Sequence, residues 1–367
     1  MKILYNGLCI NGNMAGVQYY ADHIMREALK SSPEHYEFHA LISRSYAGEL
    51  PANGSYIRPI IHNRMHRILY EHSILNSISK RYDITHCPAY ILPGKLRGRG
   101  VITIHDTIAL DFPELCKNSN ALYFNLRMKR GIRDAAHIIT VSEKAKEDII
   151  RNCNISPDKI TAIYPGIDPI FRHEENQQRI QEVKSKYALP DRYMLFTGNI
   201  EPKKNLPGLL RAYDILLRRG MGHKLVIVGQ WGWKYKDVLK CLEIPGLREN
   251  ICFLNYVERA DLPAIYSLAG LFVFPSIYEG FGFPPLEAMA CGTPVVASYA
   301  GALQETTGGN AVYVDPYSPE DIASKIELCL TDDGLRERLI RNGYSHACSF
   351  TWDKAWKQTL NVYKAIL

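Results

Sequence analysis

The sequence predicts an α/β protein built from two doubly wound parallel-sheet domains in tandem, and three observations carry that reading. Short β-rich runs alternate with helical patterns along nearly the whole chain, the signature of parallel sheets covered by helices. At 367 residues the chain exceeds the roughly 250 to 300 residues at which a single core stops growing. The alternation pauses once, near Pro165, and the polar run His173 to Gln178 that follows has no apolar residue, which marks a linker. Residues 1–172 are therefore expected as a first domain, 173–190 as the linker, 191–348 as a second domain and 349–367 as a terminal helix.

The strands expected in the first domain are Lys2–Tyr5, Glu37–Leu41, Tyr56–Ile60, Ile84–Cys87, Val101–Ile104 and Ile138–Val141. The second series runs Tyr193–Thr197, Leu225–Val228, Ile251–Phe253, Leu271–Phe274, Pro294–Ala297 and Ala311–Val314, with helices over Leu206–Arg219 and Pro319–Leu330. Doubly wound sheets bind ligands beyond the carboxyl ends of their strands, so the informative residues are those that end strands. At the tail, Trp352, Trp356, Leu360 and Tyr363 recur at helical spacing and form an apolar face too wide to leave in water.

Composition excludes several classes. Apolar residues make up 46% and charged residues 22%, which places the chain with folded globular proteins and not with disordered ones. The densest apolar runs, Leu225–Val228 and Leu268–Pro275, fall far short of the roughly 18 to 20 residues that span a bilayer. The N-terminus reads as a first strand, not a signal peptide, so a cytoplasmic location is expected. Nine cysteines with no Cys-x-x-Cys pair fit neither a disulfide framework nor a zinc ribbon. The net charge of +6 is concentrated in residues 1–172, which hold 22 Lys/Arg against 16 Asp/Glu. That excess is too diffuse for duplex recognition, so no nucleic acid is expected. A phosphate-bearing substrate or an anionic membrane face suits it better.

Four segments carry candidate chemistry. In Glu279–Pro294, glycines at 280 and 282 make a tight loop, Pro285 suits the first position of a helix, and Glu287 then falls in its first turn. Backbone N–H groups of Gly282 and Phe283 form an anion cradle, while two carboxylates each accept hydrogen bonds from a vicinal diol, so the segment reads as a nucleotide-sugar site. In Thr197–Pro207, Lys203 and Lys204 precede a helix with Asn205 as N-cap. Cations at a positive helix end are misplaced unless an anion sits between them, and a diphosphate is the natural guest. His105 and Asp106 end a strand: His105 is placed to donate to a substrate hydroxyl or shuttle a proton, and Asp106 to anchor it or a backbone amide. Gly16, after Asn11-Gly12-Asn13-Met14-Ala15, lets a ligand approach a helix N-terminus, but the segment is no Gly-x-Gly-x-x-Gly fingerprint, which counts against a dinucleotide cofactor. No Asp-x-Asp pair or His/Cys/Glu cluster offers to hold a metal.

These residues together resemble the retaining glycosyltransferases of family 4. The resemblance rests on EGFGFPPLEAMACGTPVV from Glu279, with GNIEPKKN, TIHDT, AGVQYY, ITVSEKAKEDI at Ile139–Ile149 and YPGID at Tyr164–Asp168 in support. It implies the GT-B fold, two Rossmann-like domains facing across a cleft, with the last helix crossing back to the first domain. It also implies transfer of a hexose from a nucleoside diphosphate sugar to a hydroxyl, with retention and without a metal or other cofactor. Glu287 would bind the donor ribose, and Glu279 would lie at the donor sugar. Phe281, Gly282 and Phe283 would give backbone contacts, Lys204 would bind the diphosphate, Gly16 would face the phosphates and His105 would lie near the sugar's C6 hydroxyl. Asn199 stands where many relatives carry arginine, and Lys203 takes over that positive charge. Likeness to bacterial mannosyltransferases of polysaccharide assembly favours GDP-mannose as donor, with UDP-sugars open. The expected acceptor is a saccharide or lipid-linked saccharide, with peripheral contact at the inner membrane face. The alternatives are a GT-B nucleotide-sugar epimerase or hydrolase and a non-catalytic nucleotide-sugar-binding protein.

Overall fold

The computed structural model of the chain describes residues 1–10, 14–31, 33, 35–52, 54–94, 96 and 98–367, with backbone only for residue 64 and residues 118–124. The chain divides into two compact units, Met1–Gly166 with Thr351–Leu367, and Ile167–Phe350.

The first unit holds seven strands: β1 Lys2–Asn6, β2 Glu37–Leu41, β3 Ser55–Ile57, β4 Ile84–Cys87, β5 Arg99–Ile104, β6 His137–Thr140 and β7 Ile160–Ala162. They pair in parallel in the order β3-β2-β1-β4-β5-β6-β7. The chain reverses direction across the sheet between β1 and β4, which is where such sheets bind ligands. β3 stops at Ile57, short of the expected Ile60, just ahead of Pro59, which has no N–H to give a ladder. Three residues is too short a pattern for periodicity to register, and β7 was not expected.

The second unit holds β8 Tyr193–Thr197, β9 Lys224–Val228, β10 Ile251–Asn255, β11 Leu271–Phe274, β12 Val295–Ser298 and β13 Val312–Val314, paired in parallel in the order β10-β9-β8-β11-β12-β13. Its reversal lies between β8 and β11. Every residue of β8, β11 and β12 is buried, as expected of strands covered on both faces. Residues 173–190 are not a linker throughout. Gln177–Lys186 form a helix capped by Asn176 Oδ1, which accepts from Gln178 N at 3.0 Å and Arg179 N at 3.2 Å. Arg179 and Lys186 both pair with the buried carboxylate of Asp261 in the same unit. Ion pairing and one buried valine, Val183, anchor this helix, so hydrophobic patterning gave little sign of it.

The tail forms the helix Trp352–Ala365 and belongs to the first unit. Trp352 stacks flat on His23 with centroids 4.6 Å apart, Trp356 meets Phe38 edge-on at 5.8 Å, and the Tyr363 hydroxyl lies 2.6 Å from His86 Nδ1. All four residues of the expected stripe are buried. All nine cysteines are free thiols. Among the described residues no helix is long and apolar enough to cross a membrane.

Candidate active site

In the second unit the two segments singled out above follow β8 and β11, the strands that flank the reversal of the sheet. The loop after β8 passes Gly198 and Asn199 and closes a 3-10 turn at Pro202–Lys204. Ile277 N–H, in the loop after β11, donates to Lys203 O at 2.7 Å and so ties the two loops together. Asn205 precedes the helix Leu206–Arg218 but does not cap it as expected. Its backbone is left-handed at φ 53°, and its Nδ2 donates instead to Pro275 O at 3.1 Å and Pro316 O at 2.6 Å. A capping side chain needs extended backbone; here the residue fastens three loops. Asn199 is exposed and, among the described residues, bonds to neither carboxylate.

Glu279 is buried, at 6% exposure. Lys204 Nζ donates to its Oε1 at 2.7 Å, and Lys203 Nζ lies 3.8 Å from Oε2. The Lys204 ammonium also sits 4.6 Å from the centroid of Phe274, the last residue of β11. Burial alone would raise the Glu279 pKa, but the two ammonium groups outweigh it and hold the carboxyl below its ordinary range. The expected partner of the lysines is a diphosphate; within the chain itself they pair with the Glu279 carboxylate. Gly301, at φ 60°, packs against the Glu279 backbone so closely that a Cβ would overlap it, and Ala302 N–H donates to Glu279 O at 2.9 Å.

The helix after this loop runs Phe283–Ala290. It begins at Phe283 and not at Pro285, so Glu287 is its fifth residue, two positions further into the helix than expected. The first N–H groups of a helix have no partner inside it, so prolines at the second and third positions cost nothing. Pro284 and Pro285 also have no N–H to offer, so the expected backbone donors of this turn are Gly282, just before the helix, and Phe283, its first residue. Gly282 enters at φ 101°, and a Cβ there would lie 2.6 Å from Leu303 Cδ2. Phe281 is buried with its carbonyl accepting from Thr306 Oγ1 at 2.7 Å, and its ring meets that of Phe283 edge-on at 5.0 Å. Glu287 Oε2 accepts from Tyr266 OH at 3.0 Å, and that hydroxyl lies 2.8 Å from Thr197 Oγ1. Burial raises the Glu287 pKa, offset in part by Arg259 and the Tyr266 hydrogen bond. Two neighbouring carboxyls thus shift in opposite directions, a pattern that marks functional sites.

In the first unit, Gly16 opens the helix Gly16–Ser31 and is exposed; Asn11-Gly12-Asn13 lie outside the described residues. His105 follows β5 with Nε2 2.8 Å from Pro88 O. A carbonyl can only accept, so Nε2 carries the proton and Nδ1 of the neutral ring is an acceptor. Burial lowers the His105 pKa despite opposing effects from the Pro88 carbonyl and Asp106. In this arrangement Nδ1 is the ring nitrogen left to accept a hydrogen bond. Asp106 takes the backbone option, accepting from Ile108 N–H at 3.4 Å.

Three participants escaped sequence reading. Tyr266 supports Glu287 from an apolar helix where nothing flags it. Arg259 lends positive charge near Glu287 and is held by Asp168 Oδ2 at 3.0 Å; Asp168 ends the YPGID motif, which was its one signal. His86, with no exposed surface, bridges Tyr363 OH and Thr103 Oγ1, the latter at 2.8 Å.

Two parallel doubly wound sheets, with lysines and paired glutamates at the switch point of the second, define a GT-B glycosyltransferase. Comparison with known proteins agrees. Residues 15–171 match the model of Glycosyltransferase Family 4, and residues 177–346 that of Glycosyl transferases group 1. O-antigen chain mannosyltransferase B of Escherichia coli is 38% identical over 77% of this chain and 74% of its own length. The serotype-specific mannosyltransferase WbdA of the same species is 31% identical over 78% of this chain, which spans only 35% of WbdA. Among solved structures, sucrose-phosphate synthase from Thermosynechococcus elongatus superposes with a TM-score of 0.79 at 18% identity, over 100% of this chain and 99% of that one. Anabaena HepE in complex with UDP and glucose superposes with a TM-score of 0.78 at 18% identity, over the whole of both chains. The chain belongs to glycosyltransferase family 4 and is a hexosyltransferase.

Proposed function

We propose that this enzyme transfers mannose from GDP-mannose to a hydroxyl of a saccharide or lipid-linked saccharide in polysaccharide assembly, with retention at the anomeric carbon and without a metal. The observation that carries this reading is the Glu279 carboxylate held between Lys203 and Lys204, beside a helix that presents Glu287. A donor diphosphate brings its own negative charge to the two ammonium groups and releases Glu279 to the sugar. As the glycosidic bond breaks, the departing diphosphate gains charge against Lys204, Lys203 and the Gly282–Phe283 backbone, while the positive sugar ring is stabilised by Glu279. Glu287, supported by Tyr266, accepts the ribose hydroxyls. His105 serves the sugar as a hydrogen-bond acceptor through Nδ1.

The mannosyl assignment draws on the two named mannosyltransferase relatives, and metal independence on the two ammonium groups of Lys203 and Lys204, which can meet the diphosphate charge themselves. A cytoplasmic site with peripheral membrane contact is proposed from the basic excess of residues 1–172. The test is a panel of GDP-, UDP- and ADP-sugars. A bound donor at 100 times its Kd raises stability by about 2.7 kcal/mol, and transfer to a saccharide in excess EDTA is followed by NMR of the anomeric proton. Transfer from GDP-mannose giving the α product is expected. An inverted product, a strict Mg²⁺ requirement or release of sugar with no acceptor product would overturn the respective part.

A further inference from the structure

The first unit exposes apolar side chains along one helical segment that its own core does not need. Residues 64–79 form a helix Arg64–Tyr70, a π turn Glu71–Leu75 and a last helical turn Asn76–Ser79. Its inner side is already satisfied: Leu75 is fully buried, and Tyr70 and Ile78 pack against the core. Met65, Leu69 and Ile74 nevertheless stand 65%, 63% and 44% exposed, with Ile60 just upstream at 51%. Met65 and Leu69 are four apart and share a face. A step of five residues rotates a side chain by about 140° away from that face in a regular helix, but the i→i+5 turn brings Ile74 back toward it. The π turn thus keeps three aliphatic side chains on the solvent side. Between residues 58 and 81 there are five basic residues, Arg58, Arg64, Arg67, Lys80 and Arg81, and one carboxylate, Glu71. The Glu71 side chain is only 15% exposed and accepts from Asn6 Nδ2, so the charge shown to solvent here is positive.

We propose that this segment is the membrane-docking surface of the protein: Met65, Leu69 and Ile74 enter the headgroup–acyl boundary of an anionic bilayer, and Arg58, Lys80 and Arg81 meet lipid phosphates. The proposal deepens the peripheral contact suggested above and rests on it. An exposed aliphatic stripe on a segment of net positive charge fits an anionic lipid surface, where apolar burial and electrostatic attraction add.

The test is flotation of the whole protein with phosphatidylcholine vesicles, with and without phosphatidylglycerol, at low and high salt, comparing wild type with the double variant Met65→Asp, Leu69→Asp. Removing two large apolar side chains from the interface weakens partitioning by about a hundredfold or more. Wild type is expected to float with anionic vesicles at low salt and the variant to stay behind, both with the same melting temperature and the same transfer rate to a water-soluble acceptor. Flotation of the variant like wild type, or of wild type equally with neutral vesicles, would overturn the proposal. So would a wild-type dimer in solution that the variant converts to monomer, since the face would then join two copies. Because flotation needs no turnover, a failed donor assignment leaves its outcome readable.

Discussion

Replacing Lys204 by Ala removes the ammonium that lies 2.7 Å from Glu279 Oε1, between side chains only 12% and 8% exposed. Taking one partner from a buried ion pair costs about 3 to 5 kcal/mol, because the other charge is left without compensation. Lys203, at 3.8 Å from Oε2, still faces Glu279, so the loss should fall at the lower end, about 3 kcal/mol. With Lys204 gone, burial dominates and the Glu279 pKa rises. A group whose folded pKa is depressed contributes stability above its unfolded pKa and loses it as pH falls through the folded value. A carboxyl held above its unfolded pKa does the reverse, so the stability deficit of the variant should narrow as pH falls through that range. Catalysis should fall roughly a hundredfold or more in kcat, as when one preorganised donor is removed from a transition state. The assay is a double-mutant cycle with Glu279→Gln, read by urea unfolding and by steady-state kinetics. Glu279→Gln added to Lys204→Ala should recover much of the stability, since no buried charge is then stranded, and none of the activity. A Lys204→Ala enzyme with wild-type unfolding and wild-type kcat would refute both the pairing and the role of Lys204 at the diphosphate.

Glu287→Ala should raise the Kd for nucleoside diphosphate by about 10- to 100-fold, the range of a charged hydrogen bond, with kcat little changed; Glu279→Ala should chiefly lower kcat. Calorimetry and kinetics separate the two, and an unchanged Kd for Glu287→Ala would dismiss the ribose role. Trp356→Ala, at a site 1% exposed, should cost about 3 to 5 kcal/mol, and deletion of residues 350–367 should leave the first unit unable to fold; a truncated chain that melts like wild type would show the helix to be an appendage. His86, buried and beside His105, has its pKa pushed down to about 3. Its folded form refuses a proton that the unfolded chain takes up near pH 6.5, so stability should decline as pH falls from about 6.5 toward 3, by about 4 to 5 kcal/mol in all. His86→Gln should flatten that decline, and an equally steep acid curve in the variant would place its cause elsewhere.

The lysine pair, the glutamate pair and the strand-end histidine were legible as candidates because each interrupts a pattern: a charge where a helix end disfavours it, glycines and prolines packed around carboxylates, a titratable group closing an apolar run. The helix Gln177–Lys186 and β7 were not legible, the first because ion pairs to Asp261 hold it, the second because three residues give no period. The donor-side loops were legible one at a time, but no spacing in the sequence says that Lys204 reaches a carboxylate 75 residues away. The order of elements, the doubly wound class and the apolar stripe of the tail follow from hydrophobic periodicity and turn chemistry, which are local properties that a sequence carries by itself. Which charge pairs with which, which way the neighbouring carboxyls titrate, and which nitrogen of His105 carries the proton depend on burial and on distances of about 3 Å between residues far apart in the chain. Those quantities exist only once the sheets have closed and taken the water away, so only the tertiary structure decided them.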